Sequence, residues 1–153
     1  MKLAELVRDG AVVTPLAARD RDGAVAELID GLVRAGAAAG AVRDDLIAQV
    51  LEREQRGSTG FGKGVAVPHV KHQSVTRMAA AVGLSPTGVD FNALDKQPVY
   101  SIFLLLSPVD RPDDHLHAME VIFKNLSKDT FRRFLRQADT EQEVRSLMEE
   151  ADA

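Results

Sequence analysis

Apolar residues recur at helical spacing in the first part of the chain, and this pattern predicts two amphipathic helices. The first helix follows a possible N-cap at Asp22 and ends in a Gly- and Ala-rich stretch, residues 35–41. Its apolar positions are Val25, Leu28, Ile29, Leu32 and Val33. The second helix is predicted over Arg43–Gln55 and stops at Gly57, with charged side chains crowded into its last turns.

Three apolar runs in the middle of the chain predict strands at residues 65–67, 77–84 and 99–106. The second run is closed by the letters SPTG, residues 85–88, which predict a turn. The third run, VYSIFLLL, is the most strand-like segment of the sequence. We expect these three strands to lie in the core of the protein.

Helical periodicity returns after residue 114 and continues to the end of the chain. One face of this pattern carries Leu116, Met119, Ile122, Phe123 and Leu126. We expect Met119, Phe123 and Leu126 to be core residues. A short piece with Phe131, Phe134 and Leu135 follows, and the stretch Thr140 to Glu143 then matches a capping box that opens a last helix. The order of helices, strands and helices predicts an α/β fold in which one sheet is covered by helices.

Length and composition favour one domain over residues 1–153, because 153 residues with 45% apolar composition can bury one substantial core. The net charge is −4 and the charges are interspersed, which argues against a nucleic-acid partner. The chain has no cysteine, so no disulfide framework or thiolate zinc site is available. Neither a signal peptide nor a membrane span is predicted, and we expect a soluble protein of the cytoplasm.

Residues 57–69 read GSTGFGKGVAVPH, which nearly matches a nucleotide-binding loop. Gly57, Gly62 and Lys63 satisfy G-x-x-x-x-G-K, but Gly64 stands where such a loop needs a Ser or Thr hydroxyl. The context differs as well, because a predicted helix precedes this loop and a predicted strand follows it, the reverse of the order that phosphate-binding loops use. The sequence therefore argues against nucleotide binding here.

His69 is the chemical candidate at the other end of this segment. Pro68 stiffens the backbone before it, and the glycines permit positive φ angles and close backbone approach. With a pKa near neutrality, an imidazole can act as a nucleophile without a separate base. The alternative is a surface histidine with no role, which is the common case for histidines.

Residues 51–69, LEREQRGSTGFGKGVAVPH, resemble the active-site signature of enzyme IIA of the fructose/mannitol class of the bacterial phosphoenolpyruvate-dependent sugar phosphotransferase system, including its nitrogen-regulatory branch. Three further segments resemble the central strand region, the following helix and the C-terminal helix of that family. They are FNALDKQPVYSIFLLLSP, DDHLHAMEVIFKNLSKDTFRRFL and ADTEQEVRSLMEE. The resemblance spans essentially the whole chain and implies a single mixed β-sheet flanked by helices on both faces, an α/β/α sandwich.

The resemblance also implies a function and a set of site residues. His69 would accept a phosphoryl group on Nε2 from the phosphocarrier protein HPr and pass it to a IIB domain, with no cofactor. Arg53 would contact the phosphoryl group, and His115 would lie beside His69. Both roles make physical sense, because positioning and charge stabilisation supply most of the catalysis in phosphoryl transfer. Loop residues Ser58, Thr59 and Gly60 could bind phosphate oxygens, but they could equally cap and shape the loop.

Interpretations of the same residues without a catalytic role remain open. Arg53 could be a solvated charge that complements the helix dipole, and His115 could be an ordinary first-turn residue. His117 is predicted to point away from His115 on the helix, so we favour His115. Glu54 is expected to pair with a nearby basic residue.

Two departures from the family pattern concern the residues after His69. Val70 stands where the family usually has a small residue, and a β-branched side chain there is expected to narrow access to His69. Lys71 and His72 give a basic edge that could attract a phosphoryl donor or could be incidental. We expect these departures to affect the choice of partner and the rate more than the chemistry.

Two rival functions remain. The first is a metal site, for which the four histidines would supply nitrogen ligands, but an H-x-H pair on a helix splays its two rings. The second is a nitrogen-regulatory IIA that signals its phosphorylation state by binding partner proteins, without sugar transport. Phosphorylation would replace a neutral imidazole by an anion, which is enough to reverse a contact with a charged partner. No fused IIB or transporter domain is expected in the chain.

Overall fold

The computed structural model describes all residues 1–153 and contains six α-helices and five β-strands. The helices are α1 (Leu3–Arg8), α2 (Arg21–Arg34), α3 (Arg43–Gln55), α4 (Pro112–Leu126), α5 (Asp129–Gln137) and α6 (Glu141–Asp152). The strands are β1 (Ala11–Val13), β2 (Val65–Ala66), β3 (His69–His72), β4 (Ala79–Val89) and β5 (Val99–Pro108). None of the helices combines the length and apolar character that crossing a membrane requires.

The five strands form one mixed sheet, as predicted. Strands β4 and β5 pair antiparallel at its centre, and β1 lies parallel to the outer side of β4. Strands β2 and β3 follow one another along the other side of β5, both parallel to it. The edge of the sheet beside β5 is therefore built from two short strands that are separated by Val67 and Pro68.

Helices cover both faces of the sheet, which confirms the predicted α/β/α arrangement. Helices α2 and α3 pack on one face, where Ile102, Leu104 and Leu106 of β5 join their core cluster. Phe103 and Leu105 point to the opposite face, where they join a cluster with residues of α1, α4, α5 and α6. All five side chains are fully buried. The continuous apolar run of β5 follows from this arrangement, because alternate residues of the strand meet helices on opposite sides.

Several local predictions were wrong. The N-cap of α2 is Asp20, not Asp22, since the Asp20 carboxylate accepts a hydrogen bond from the Gly23 N–H at 2.8 Å. Residues 85–88 form no strand-ending turn, because β4 continues through them with a register irregularity between Leu84 and Val89. Neither α1 nor β1 was predicted, because each is too short to show a periodic pattern.

Candidate functional site

His69 is the first residue of β3, directly after the interruption of the sheet edge at Val67 and Pro68. Its register partner on β5 is Leu105, whose N–H donates to the Pro68 carbonyl at 3.0 Å. The Nδ1 atom of His69 lies 3.0 Å from the Val67 carbonyl oxygen. Because a carbonyl oxygen only accepts, Nδ1 carries the proton and Nε2 keeps a free lone pair. The fold therefore presents Nε2 as the available nucleophile.

His115 lies next to His69, and the centroids of their rings are 5.5 Å apart. It lies near the start of α4 and is buried, with Nδ1 held 2.6 Å from the Ser107 hydroxyl of β5. The pKa of His115 is lowered to about 4, mainly by burial and in smaller part by repulsion from His69 and Lys71. Two residues that are distant in sequence thus meet as a pair, with His115 uncharged at neutral pH.

The pKa of His69 is also lowered from its ordinary value. Burial is the main cause, the nearby charges of Arg53 and Lys71 add to it, and the hydrogen bond to Val67 opposes it. The neutral form, which has the free Nε2 lone pair, is therefore the favoured form at neutral pH. The same positive charges that disfavour an imidazolium would stabilise an anion attached to the ring.

Arg53 lies in the last turn of α3, and its Nη1 atom donates to the Gly57 carbonyl at 2.9 Å. This hydrogen bond ties the guanidinium to the start of the glycine loop. The remaining N–H groups of Arg53 have no acceptor within the chain, and its charge acts on His69. The structure thus brings Arg53, His69 and His115 to one site, at the edge of the sheet beside β5.

Glu54 does not pair with a basic residue, contrary to the prediction. Only 3% of the residue is exposed, and its carboxylate accepts hydrogen bonds from the Thr59 backbone N–H at 2.9 Å and from the Thr59 hydroxyl. Ser58 accepts from the Gly60 N–H at 3.0 Å. The side chains of Ser58 and Thr59 therefore shape the glycine loop.

Two glycine positions in this loop have a clear physical requirement. A Cβ on Gly60 would lie 2.9 Å from the Cβ of Ala93, so the loop could not approach that residue so closely with any larger side chain. Gly64 has φ of +75°, a conformation that side-chain-bearing residues rarely adopt. These positions explain part of the glycine content that the sequence displays.

Val70 does not narrow access to His69, which corrects the expectation from sequence. It is buried in the core cluster under α2 and α3, because consecutive residues of a strand point to opposite faces. Lys71 is exposed and follows His69 by two residues, so it shares the face of His69. Its charge lowers the pKa of both site histidines.

The four histidines do not come together at one site, as a metal centre would require. His72 is buried on the other side of β3, where its Nε2 atom lies 2.7 Å from the Asp45 carboxylate, and His117 is exposed on α4. No group of three or more His, Cys, Asp or Glu side chains has the arrangement of a metal site. The partner of His72 was missed from the sequence, because nothing in the spacing of α3 and β3 relates Asp45 to His72.

An apolar surface lies next to His115 on α4. Leu116 is 60% exposed and Phe123 is 37% exposed, while Met119 between them is half-buried. We call these three residues the α4 apolar stripe. Phe61 of the glycine loop packs against Phe123 with ring centroids 5.1 Å apart. Of the three residues expected in the core, only Leu126 is fully buried.

The fold and the site together define a member of a known protein family. The family model described as "Phosphoenolpyruvate-dependent sugar phosphotransferase system, EIIA 2" matches residues 5–151. The chain belongs to this family.

Similar proteins come from both branches of the family. A fructose-specific EIIA component from Haloferax volcanii is 31% identical over 151 residues, 94% of this chain and 97% of that protein. A nitrogen regulatory protein from Klebsiella oxytoca is 40% identical over 103 residues, 67% of this chain and 64% of that protein. The crystal structure of IIA-Ntr from Neisseria meningitidis, 27% identical, superposes with a TM-score of 0.84 over 95% of this chain and 97% of that chain.

The length of the relatives varies. A match to a fructose-specific EIIABC component from Bacillus subtilis, 29% identical, covers 99% of this chain but only 24% of that protein. The chain therefore corresponds to the EIIA part of such larger proteins.

Proposed function

We propose that this chain is a phosphoryl carrier in which His69 accepts a phosphoryl group on Nε2. The donor is the phosphocarrier protein HPr or its nitrogen-branch counterpart, and the acceptor is a IIB domain that serves sugar uptake. Because phosphoenolpyruvate is an intracellular metabolite, the proposal places the protein in the cytoplasm. The observation that carries it is the tautomer of His69, whose Nδ1–H is bound to Val67 and whose Nε2 is free beside Arg53.

The transfer needs no external base in this geometry. The Nε2 lone pair attacks the phosphorus of the phosphorylated donor, an Nε2–P bond forms, and the bond from phosphorus to the donor's nitrogen breaks with its electron pair leaving on that nitrogen. The His69 Nδ1–H remains bound to the Val67 carbonyl throughout. In the second half of the cycle the nucleophile of the acceptor attacks phosphorus, and Nε2 leaves. A phosphohistidine intermediate links the two halves.

Arg53 and His115 have different tasks in this scheme. The guanidinium of Arg53 offers planar, forked donors for phosphoryl oxygens and stabilises their charge in a transition state where charge stabilisation dominates. His115 is uncharged at neutral pH, and Ser107 holds its ring in place. It therefore provides a rigid polar surface beside the transferred group. Ser58, Thr59 and Gly60 contribute by fixing the loop that carries Gly57, the anchor of Arg53.

The α4 apolar stripe supports a protein as the phosphoryl donor and acceptor. Exposed apolar side chains beside a reactive group favour docking of a protein surface, whose burial supplies binding energy. The stripe begins at Leu116, directly after His115. A docked partner would thus cover the site and exclude water from the transferred group.

Phosphoryl uptake can be tested with purified components. The chain is incubated with phosphoenolpyruvate, enzyme I and HPr, and intact mass and acid lability are measured. We expect wild type and His117→Ala, an exposed histidine on the neighbouring helix, to gain one acid-labile phosphoryl group. His69→Ala should gain none. Uptake by His69→Ala equal to wild type, or no uptake by wild type, would refute the assignment.

The second candidate is a nitrogen-regulatory IIA that reports its phosphorylation state by binding partner proteins. The similarity to nitrogen regulatory proteins favours it, and it uses the same chemistry at His69. The two candidates differ in the fate of the phosphoryl group. Incubating the phosphorylated chain with a fructose-type IIB domain separates them, because a sugar carrier transfers its phosphoryl group rapidly, whereas a regulator retains it.

A further inference from the structure

Strand β3 holds His69 at one end and His72 at the other, and it lies at an edge of the sheet. Its only strand partner is β5, with a register that runs from His69 opposite Leu105 to His72 opposite Pro108. Four residues paired on one side are a weak anchor for a catalytic group, since edge strands carry half of the ladder hydrogen bonds of central strands. Additional contacts therefore matter for the placement of His69.

The side chain of His72 makes such a contact. The residue is 8% exposed, and its Nε2 atom lies 2.7 Å from Oδ2 of Asp45. Its Nδ1 atom accepts from the Ser74 backbone N–H at 3.1 Å. Because Nδ1 accepts, Nε2 carries the proton and donates to the carboxylate. His72 thus has the opposite tautomer to His69, with its Nε2 committed to a structural partner.

Asp45 lies in the first turn of α3, the helix that carries Arg53 in its last turn. Its carboxylate is itself oriented, because Oδ2 also accepts from Gln49 Nε2 at 2.9 Å, one helical turn away. Asp45 and Arg53 belong to one continuous hydrogen-bonded helix, so a contact that holds the first turn also restrains the last. The hydrogen bond between His72 and Asp45 therefore joins the strand of His69 to the helix of Arg53.

We infer that His72 and Asp45 are positioning residues for phosphoryl transfer. Their hydrogen bond fixes β3 against α3 and thereby sets where Nε2 of His69 lies relative to the guanidinium of Arg53. This inference rests on the proposed function of His69. Its physical basis is that transfer rates depend steeply on the placement of reacting groups, where a displacement of about 1 Å can cost about a hundredfold.

The experiment compares two substitutions of Asp45 with a matched control. Asp45→Ala removes the acceptor, whereas Asp45→Asn keeps a carbonyl oxygen that can accept from the His72 Nε2–H. The control is Asp44→Ala, which makes the same charge change at the adjacent position, where Asp44 is exposed and contacts Arg43 only. Rates of phosphoryl transfer from HPr are measured by rapid quench, with the final phosphoryl content per chain determined in the same samples.

We expect Asp45→Ala to lower kcat about tenfold while KM for HPr stays within about twofold, because the α4 apolar stripe is untouched. Asp45→Asn should recover most of the rate, and Asp44→Ala should match wild type. The final phosphoryl content should be unchanged in all three variants. A merely destabilised protein would instead show a lower final content with a normal rate for the folded fraction. Wild-type kcat in Asp45→Ala, or an equal loss in Asp45→Asn, would overturn the inference.

A second measurement does not depend on phosphorylation. Long-range ¹H–¹⁵N NMR spectra report the tautomer of each imidazole ring. In Asp45→Ala, we expect the ring signals of both His72 and His69 to shift, and those of exposed His117 to remain. If the His69 signals do not change, the contact does not reach the site, and the inference is wrong. If wild type takes up no phosphoryl group, the proposed function fails, and the NMR result still decides whether the contact positions His69.

Discussion

The imidazole rings of His69 and His115 lie 5.5 Å apart and are inclined by 55°. Strand β5 determines this relationship, because it contacts both histidines. Its Leu105 is the register partner of His69, and its Ser107, two residues further on, holds the ring of His115. The most strand-like segment of the sequence is therefore also the element that assembles the site.

The lowered pKa of His115 predicts a loss of stability in acid. The residue binds a proton with a pKa of about 4 in the folded protein and about 6.5 in the unfolded chain. Its contribution to stability is thus complete above about pH 6.5 and is lost as the pH falls toward 4, because the unfolded chain binds the proton first. We expect this to reduce the free energy of unfolding by about 1–3 kcal/mol.

Urea denaturation of wild type and His115→Gln at several pH values between about 7 and 4 measures this contribution. The variant should lose less stability over this range, since it lacks the titrating group. Parallel curves for the two proteins would show that the pKa of His115 is not depressed in the folded state.

Replacing Arg53 should slow phosphoryl transfer without unfolding the protein. We expect Arg53→Ala to lower the transfer rate about a hundredfold, and Arg53→Lys to recover part of it by restoring charge without the planar fork. The matched control is Arg56→Ala, which removes a neighbouring exposed arginine that pairs with Glu52. The measurement is the quenched-flow rate with HPr as donor.

The same variant carries an independent readout. Because the charge of Arg53 lowers the pKa of His69, an NMR titration of Arg53→Ala should give a higher pKa for His69 than wild type. An unchanged titration together with an unchanged rate would remove Arg53 from the site.

The buried carboxylate of Glu54 should be required for the glycine loop. Glu54→Ala leaves the Thr59 N–H and hydroxyl without their acceptor in a buried position, which should cost about 1–3 kcal/mol of stability. Glu54→Gln retains an accepting oxygen and should cost less. Urea denaturation measures both, with the exposed Glu52→Ala as control. Equal stabilities for Glu54→Ala and Glu52→Ala would contradict the role assigned to this contact.

The α4 apolar stripe should matter for docking and not for folding. Leu116→Ser is expected to raise KM for HPr several-fold at unchanged kcat, since uniform binding is lost while the chemistry is not touched. Stability should change by less than about 0.5 kcal/mol, because the side chain is exposed. Phe134→Ser on α5, another exposed apolar residue, is the matched control. Identical KM values for the two variants would place the docking surface elsewhere.

The sequence could predict the elements and the family but few of the contacts. Helical periodicity identified α2 and α3, and a continuous apolar run identified β5. The family resemblance indicated His69 and Arg53 from the segment around the glycine loop, and His115 from the segment DDHL. Phe123 was wrongly expected in the core, because periodicity shows which residues share a face and not how far a neighbouring element covers that face. Similarly, β4 was predicted to end at SPTG, although pairing with β5 carries the strand through a register irregularity.

What the sequence by itself determined is the set of local preferences: the helices, the central apolar strand, the glycine-rich loop and the Pro-His pair. Only the tertiary structure decided which ring nitrogen of His69 is free, that Val70 points into the core, and that Glu54 and His72 bind Thr59 and Asp45. The physical reason is that local patterns arise from backbone geometry and side-chain burial along one segment. The partner of a buried polar group depends on the folded path of the backbone, as at Glu54 and His69, or on the packing of distant segments, as between His72 and Asp45.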